Sequence, residues 1–206
     1  FFEYDENGNR VKIIDALARE TDFEYDEMDR LEKIISPSGS ANEMTFTYNK
    51  LGQLVSQTSF EGITTTYAYD HVGRQVEVSD PEATVTTAYN SAGKLATVTD
   101  CNNHTTTYTY DAYFRLASVE DPIGKETHYT YDAAGRRESV AAGTMGDFDP
   151  TEYFYSSTTG LLEKVRYHAD TSYDDAEYFY DELARLEKIE DWLGGNGLRY
   201  AYDAAG

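Results

Sequence analysis

The sequence is poor in cysteine, proline and long apolar runs. Its 206 residues include one cysteine, Cys101, and four prolines. A single cysteine excludes an internal disulfide, so cysteine content does not separate a secreted chain from a cytosolic one. No run approaches the roughly 18 apolar residues of a membrane-spanning helix, and no basic start precedes an apolar signal stretch. The sequence therefore predicts no membrane insertion.

Positive charge is also scarce. Lys and Arg number 17 against 38 Asp and Glu, which gives a formal net charge of -21. This excess of negative charge disfavours nucleic acid and anionic membrane surfaces as partners. Disordered chains share such a charge, but 19 Tyr and 9 Phe at periodic positions provide more apolar area than a disordered chain carries. We therefore expect a folded chain.

Tyrosine is abundant, and it recurs with a regular period. The anchor of each repeat is a tyrosine, followed by Asp or Asn in nine cases and by Ser156 in the tenth. A period of 20 to 25 residues indicates a repeat architecture of about nine units over residues 1–206. The anchors are Tyr4, Tyr25, Tyr48, Tyr69, Tyr89, Tyr110, Tyr131, Tyr155, Tyr180 and Tyr202.

Each repeat of about 22 residues contains two strand patterns and two turn patterns. In residues 105–110 threonine and tyrosine alternate, which predicts a strand with aromatic side chains on one face. One turn follows the anchor, as at 132–135, and a second closes the repeat, as at 121–124. Gly at the fourth turn position accepts a left-handed conformation. The turn glycines are Gly8, Gly52, Gly73, Gly93 and Gly135.

These patterns predict an all-β fold in which antiparallel hairpins form a continuous curved or spiralling sheet. Helix is disfavoured, because Thr, Tyr and Gly dominate and only residues 5–20 have sustained helical spacing. Tyrosines of successive hairpins are expected to lie beside one another as a ladder on one face. The turn glycine is missing at Asp29, Phe114 and Ala184 and displaced by one position at Gly160, where we expect altered hairpin loops.

The two longest repeats follow Tyr131 and Tyr155, and their additional residues fall at 142–150 and 168–175. Because both segments occupy the same phase of adjacent repeats, they predict two loops side by side at one edge of the sheet. Two interpretations stay open. The two loops form a binding patch, or they are insertions that surface turns tolerate.

Acidic residues in these two segments are the candidate metal ligands: Asp147, Asp149, Asp170, Asp174 and Asp175. Ca²⁺ binds through roughly six to eight oxygen atoms. Neither segment has the spaced acidic pattern of an EF-hand loop. We therefore expect no cofactor, and prefer a solvated acidic edge that opposes aggregation between strands.

No catalytic pattern stands out among the remaining polar residues. The four histidines lie at different phases of the repeat, and none has a carboxylate and a nucleophile at the spacing of a triad. Cys101 occupies a turn position that Pro81 and Pro122 hold in other repeats. Trp192 is interpreted as a filler between repeats, with stacking on a sugar or partner as the alternative. The sequence thus predicts a non-enzymatic protein. The histidines are His71, His104, His128 and His168.

The repeats resemble the YD repeats, also called RHS repeats. The segments that carry the resemblance are YDHVGRQ from Tyr69, YDAYFRL from Tyr110, YDAAGRR from Tyr131, YDELARL from Tyr180 and the DPIG turn from Asp121. This family includes bacterial polymorphic toxins, insecticidal toxin-complex subunits, wall-associated proteins and teneurin-like surface proteins. The resemblance implies hairpins that spiral into a hollow shell, which encloses a C-terminal effector in the toxins, and a secreted or cell-surface location.

The favoured hypothesis is a structural segment that forms the wall of a hollow shell or an extended extracellular tube or filament. Its expected partners are further YD repeats of the same or neighbouring chains, and an encapsulated effector or a glycan. The alternative is a cell-surface module that binds glycans or a receptor through exposed aromatic residues and the segments 142–150 and 168–175. The chain opens and stops within repeats, so we expect a segment of a longer chain.

Overall fold

The computed structural model describes residues 1–39, 42–144, 147–167, 175–191 and 197–202. The described residues form 19 strands and no helix, which confirms the predicted all-β class. The helix-like spacing of residues 5–20 belongs to a strand between two turns. The strands are β1 Phe2–Tyr4, β2 Arg10–Ile14, β3 Glu20–Tyr25, β4 Leu31–Ile35, β5 Glu43–Tyr48, β6 Leu54–Thr58, β7 Thr64–Tyr69, β8 Gln75–Ser79, β9 Thr84–Tyr89, β10 Leu95–Thr99, β11 Thr105–Tyr110, β12 Leu116–Glu120, β13 Glu126–Tyr131, β14 Arg137–Thr144, β15 Asp147–Tyr155, β16 Leu162–Arg166, β17 Asp175–Tyr180, β18 Leu186–Asp191 and β19 Leu198–Arg199.

The chain divides into two compact units, Phe1–His104 and Thr105–Gly206. In the first unit each strand from β1 to β10 pairs antiparallel with the next strand along the chain. In the second unit the strands from β11 to β19 do the same. Each unit is therefore a meander in which every hairpin contacts its sequence neighbours.

The strand registers sort the side chains onto two faces. On one face Phe23 lies opposite Ile34, and Ile34 lies opposite Met44 in the next strand. On the other face Glu24 lies opposite Lys33. One face is thus mainly aromatic and aliphatic, and the other is mainly charged or hydroxylated.

The sheet encloses almost no core. Among the described residues only Val165, Ala176 and Ser156 are buried, with exposures of 4%, 5% and 7%. Val165 and Ala176 are opposite each other in β16 and β17. The other side chains whose burial is described are half-buried or exposed. Stability must therefore come from contacts between neighbouring hairpins, as in other repeat proteins.

Twelve of the turns in the described ranges share one geometry. In each, the N–H of the first residue donates to the carbonyl of the fifth, and the N–H of the fourth donates to the carbonyl of the first. The fourth residue has positive φ in all twelve, which is the geometry of a type I turn with a G1 bulge. The five predicted turn glycines all hold this position, with φ between 79° and 90°.

The prediction of altered loops at Asp29, Phe114 and Ala184 is wrong. These residues adopt φ of 58°, 61° and 62° and keep both turn hydrogen bonds. The hairpin geometry is set by the two flanking strands, and the residue accepts a left-handed conformation that costs roughly 1–2 kcal/mol. At Gly160 the loop does change. The Gly160 N–H donates to the carbonyl of Ser156, four residues earlier, whereas the common turn spans three.

The predicted loop at 142–150 is largely strand. Residues 142–144 complete β14, residues 147–150 begin β15, and Ala142 pairs with Asp149. The additional residues therefore lengthen a hairpin, because the antiparallel ladder simply continues through them. In the segment 168–175, only Asp175 lies within the described residues, as the first residue of β17.

Candidate functional site: a clamp between successive hairpins

Within the described residues, the turn that follows an anchor tyrosine begins with a side chain that caps its own backbone. Asp132 Oδ1 accepts hydrogen bonds from the N–H groups of Ala134 at 2.9 Å and Arg136 at 2.8 Å. The Asp or Asn at the first position makes the same pair of bonds in the other turns of this geometry, apart from the Ser59 turn. These side chains favour the turn over a continued strand.

The second carboxylate oxygen holds an arginine four residues later. Arg136 Nε donates to Asp132 Oδ2 at 2.7 Å, and Arg136 Nη2 lies 2.6 Å from the same oxygen. Planar guanidinium groups suit this charge-assisted contact, and the carboxylate fixes the orientation of the guanidinium plane. The same pair forms in the turns that start at Asp26, Asp70, Asp111 and Asp181.

The arginine held in this way lies over the anchor tyrosine of the next hairpin. The guanidinium carbon of Arg136 is 4.3 Å from the Tyr155 ring centroid, and that of Arg115 is 4.4 Å from the Tyr131 ring. Both distances are within the range of cation–π contacts. We call each such set an anchor clamp. The five sets are Asp26–Arg30–Tyr48, Asp70–Arg74–Tyr89, Asp111–Arg115–Tyr131, Asp132–Arg136–Tyr155 and Asp181–Arg185–Tyr202.

The tyrosine hydroxyl completes the clamp by donating a hydrogen bond to a backbone carbonyl of the previous hairpin. Tyr131 Oη donates to the carbonyl of Leu116, the residue after Arg115, at 2.9 Å. Seven anchors make this bond, at 2.6 to 3.1 Å. The bonded pairs are Tyr25–Arg10, Tyr48–Leu31, Tyr69–Leu54, Tyr89–Gln75, Tyr131–Leu116, Tyr155–Arg137 and Tyr202–Leu186.

The turns also contact one another directly. Arg136 Nη1 donates to the carbonyl of Gly160 at 3.0 Å, and Gln53 Nε2 donates to the carbonyl of Gly73 at 3.0 Å. In the first turns, Asn7 and Asn9 each donate through Nδ2 to Asp29 Oδ1 at 2.8 Å. Asp29 therefore has a bonding role at a position where other turns place glycine.

The clamp lowers the carboxyl pKa values. Bonds from Arg30 hold the pKa of Asp26 below its ordinary value against the opposing effect of burial. At Asp132, burial raises the pKa, but the side-chain and backbone bonds from Arg136 outweigh it and the net pKa is lowered. Burial raises the pKa of the Tyr48 and Tyr155 hydroxyls. The clamp is thus a charged Asp–Arg pair against a neutral tyrosine at neutral pH.

The predicted tyrosine ladder needs a correction. Equivalent residues of successive hairpins are two strands apart, which is about 9.6 Å, whereas paired aromatic rings lie about 4.5–7 Å apart. Arginine spans this gap, so a guanidinium lies over the ring where we expected a neighbouring tyrosine. This contact between arginine and tyrosine was not predicted from the sequence. The repeated Asp-x-x-x-Arg spacing across the turn was the available signal.

Other sequence candidates are placed apart from the clamp. His104 Nδ1 lies 3.2 Å from Asp100 Oδ2 and its imidazole is exposed, whereas His128 Nε2 lies 2.6 Å from Glu126 Oε2 and its residue is half-buried. His71 and Cys101 are exposed in turns. Trp192 and His168 lie outside the described residues. In the described part of the chain no group of three potential metal ligands comes together.

The calcium site stays a prediction. Asp170 and Asp174 lie outside the described residues. Asp147, Asp149 and Asp175 are placed in strands by their backbones, and their side chains lie outside the description. The described ranges contain no helix that is long and apolar enough to cross a membrane.

The clamps and the meander define a protein built from repeated β-hairpins with little enclosed core. Residues 32–146 match the Teneurin YD-shell family, and residues 4–41 match the RHS repeat. The first match covers more than half of the chain, which therefore belongs to the Teneurin YD-shell family. This confirms the resemblance to YD and RHS repeats and supports a structural shell role. No curated protein matches the chain.

Two solved structures have a similar fold. They are the crystal structures of TcdB2-TccC3-Cdc42 and of TcdB2-TccC3, with TM-scores of 0.61 and 0.60 and 15% sequence identity in each case. Each match covers 96% of this chain and 14% of the other chain. At this identity the similarity concerns the fold alone. The chain spans about one seventh of the length of the chains it matches.

Proposed function

We propose that this chain is a structural, non-enzymatic segment of the wall of a hollow shell. The observation that carries the proposal is the near absence of a core together with clamps between successive hairpins. A compact enzyme positions its catalytic groups on a closed core, whereas this sheet is stabilised from hairpin to hairpin. Both faces of the sheet can therefore contact solvent or a molecule enclosed by the shell.

Membership of a shell-repeat family supports the same assignment. We place the chain in a secreted or cell-surface protein, with further YD repeats as its partners. An enclosed effector is the content that a shell of this family would hold. Because the matched chains are much longer, the enclosure itself requires more repeats than this segment provides.

Removing one whole repeat tests the wall role. Deletion of residues 69–88 joins Ala68 to Tyr89 and restores the phrase Tyr-Ala-Tyr-Asn without a break in phase. A wall segment should fold with an unchanged β-type circular dichroism spectrum per residue, because each hairpin depends only on its neighbours. Its free energy of unfolding in urea should fall modestly.

The control removes one strand and turn out of phase. Deletion of residues 69–78 joins Ala68 to Ser79 and removes one turn with one strand. Every later strand would then have to run opposite to its native direction in the sheet. We expect this variant to unfold or aggregate. If the in-phase deletion also fails to fold, the hairpins are not independent wall units and the proposal fails.

A glycan array separates the wall from the alternative binding module. The wall role expects no specific binding by the 206-residue chain. Reproducible binding that is lost when Tyr113 or Phe114, exposed by 78% and 57%, is replaced by serine would favour the module instead.

A further inference from the structure

An asparagine followed by glycine lies at the tip of the first turn, residues 5–9. Asn7 and Gly8 hold its third and fourth positions, and both residues are exposed. Asparagine before glycine is the pair most prone to deamidation, because glycine has no Cβ to shield its backbone nitrogen. Of the eight asparagines in the sequence, two precede glycine, and the second of these, Asn196, lies outside the described residues.

The backbone nitrogen of Gly8 is held loosely. Its N–H donates to the carbonyl of Asp5 at 3.2 Å, whereas the same bond measures 2.9 or 3.0 Å in the other eleven turns of this geometry. A Cβ placed on Gly8 would have no atom within 4 Å, so the space around this residue is open. Local opening of this one turn therefore frees the nitrogen at small cost.

The side-chain amide of Asn7 is held by the next turn along the same edge. Asn7 Nδ2 donates to Asp29 Oδ1 at 2.8 Å, and Asn9 Nδ2 donates to the same oxygen at 2.8 Å. Asn7 and Asp29 are 22 residues apart, so these bonds join the first two hairpins. The bond to Asp29 restrains the rotation that would bring Asn7 Cγ to the Gly8 nitrogen.

We propose that Asn7 is a site of spontaneous deamidation and that Asp29 restrains the reaction. The Gly8 nitrogen attacks Asn7 Cγ, the Cγ–Nδ2 bond breaks, and Nδ2 leaves as ammonia with the proton from Gly8. Water then opens the succinimide ring at either carbonyl. The products are aspartate, and isoaspartate with the main chain running through Cβ. This modification site goes beyond the wall role and does not depend on it.

The reaction weakens the joint between the first two hairpins. A carboxylate at position 7 has no hydrogen to donate to Asp29, and the two negative charges repel each other. The turns 5–9 and 26–30 already contain five carboxylates against one arginine, Arg30, which is paired with Asp26. Isoaspartate also adds one atom to the backbone of the turn. The joint and the modification are therefore coupled, because the bond that joins the hairpins also protects the amide.

Peptide mapping by mass spectrometry tests the site during incubation of the native chain at neutral pH. The peptide that contains Asn7 should gain the mass change of deamidation well before the peptides that contain Asn49 and Asn90. Asp29→Gly should accelerate the reaction several-fold, because it removes the acceptor and leaves a residue that accepts the left-handed turn position. Ala184→Gly makes the same kind of backbone change in the second unit and should leave the rate unchanged.

Asn7→Asp reproduces one product and should lower the urea midpoint of unfolding. Asn90→Asp is the matched control, since it adds the same charge where an oxygen already caps the N–H groups of Ala92 and Lys94, and it should not lower the midpoint. The proposal is overturned if Asn7 keeps its amide as long as Asn49 and Asn90, or if Asp29→Gly leaves the rate unchanged. Equal midpoints for Asn7→Asp and the native chain would overturn the coupling to the joint.

Discussion

Arg136 and Tyr155 lie in successive hairpins, 19 residues apart in sequence, and the guanidinium carbon is 4.3 Å from the ring centroid. The same arginine is fixed by Asp132 and donates to the carbonyl of Gly160. One side chain therefore touches its own turn, the next anchor and the next turn. This makes it the natural place to measure how strongly hairpins are coupled.

A double-mutant cycle on Arg136→Ala and Tyr155→Ala should give a coupling energy of about 0.5–1 kcal/mol, the size of an exposed cation–π contact. Urea unfolding of the four proteins measures it. Arg136 with Tyr113 serves as the uncoupled pair. A coupling near zero for Arg136 and Tyr155 would mean that the stacking is incidental.

Tyr131→Phe should lower the free energy of unfolding by about 1 kcal/mol. The ring stays beneath Arg115, but the carbonyl of Leu116 loses its hydroxyl donor. Tyr113→Phe is the matched control, because that side chain is 78% exposed at a turn tip. Equal effects of the two variants in thermal and urea unfolding would argue against the bond.

Ala184→Gly should stabilise the chain by about 1 kcal/mol, since it relieves a φ of 62°. Gly135→Ala should destabilise the chain, because it places a Cβ on a residue with positive φ. A Cβ at Gly135 would meet Arg115 Nη1 at an ordinary 3.9 Å, so the loss would report backbone strain alone.

Asp29→Gly tests the same position with a bonding side chain. It relieves a φ of 58° but removes the acceptor of Asn7 and Asn9, so its gain should be smaller than that of Ala184→Gly. Equal gains in urea unfolding would show that the two amide bonds contribute nothing.

Acid should weaken the clamps. The pKa values of Asp26, Asp70, Asp111, Asp132 and Asp181 are lowered in the folded chain, so their stabilisation is complete above the unfolded pKa near about 4 and is lost as pH falls through the folded values. Urea midpoints between neutral pH and about pH 3 should fall most steeply below about pH 4.

The variant Asp132→Asn should make this acid dependence shallower. Glu32→Gln, an exposed carboxyl outside the clamps, controls for the loss of one negative charge. An identical slope for Asp132→Asn and the native chain would place the acid sensitivity elsewhere.

The fold was largely predictable from sequence because the same local signals recur. Alternation in segments such as 105–110 and the turn at 132–135 specify strand and hairpin, and repetition makes each assignment support the others. The positive φ at Phe114 escaped prediction, since the strands on both sides impose the turn on a residue that disfavours it.

The clamp was only partly predictable. The anchor tyrosines were visible as a pattern, but their contact with arginine depends on a distance of two strands, which a linear sequence does not display. The hydroxyl bond to Leu116 depends on the register shift between Thr130 and Tyr131 as well. A bulge of this kind changes the direction of one side chain, and no particular residue type in the sequence marks its position.

One joint in the array has an apolar residue behind its turn. After Tyr155 the longer turn places Leu161 behind its glycine, whereas the turns after the anchors from Tyr4 to Tyr131 and after Tyr180 have Arg, Lys, Asn or Gln there, and the three most buried of the described residues, Ser156, Val165 and Ala176, lie in the elements around it. Apolar burial weakens on cooling, whereas the ionic clamps weaken in acid and salt. Low temperature and low pH should therefore open the chain at different places, with the cold-sensitive point between β15 and β17.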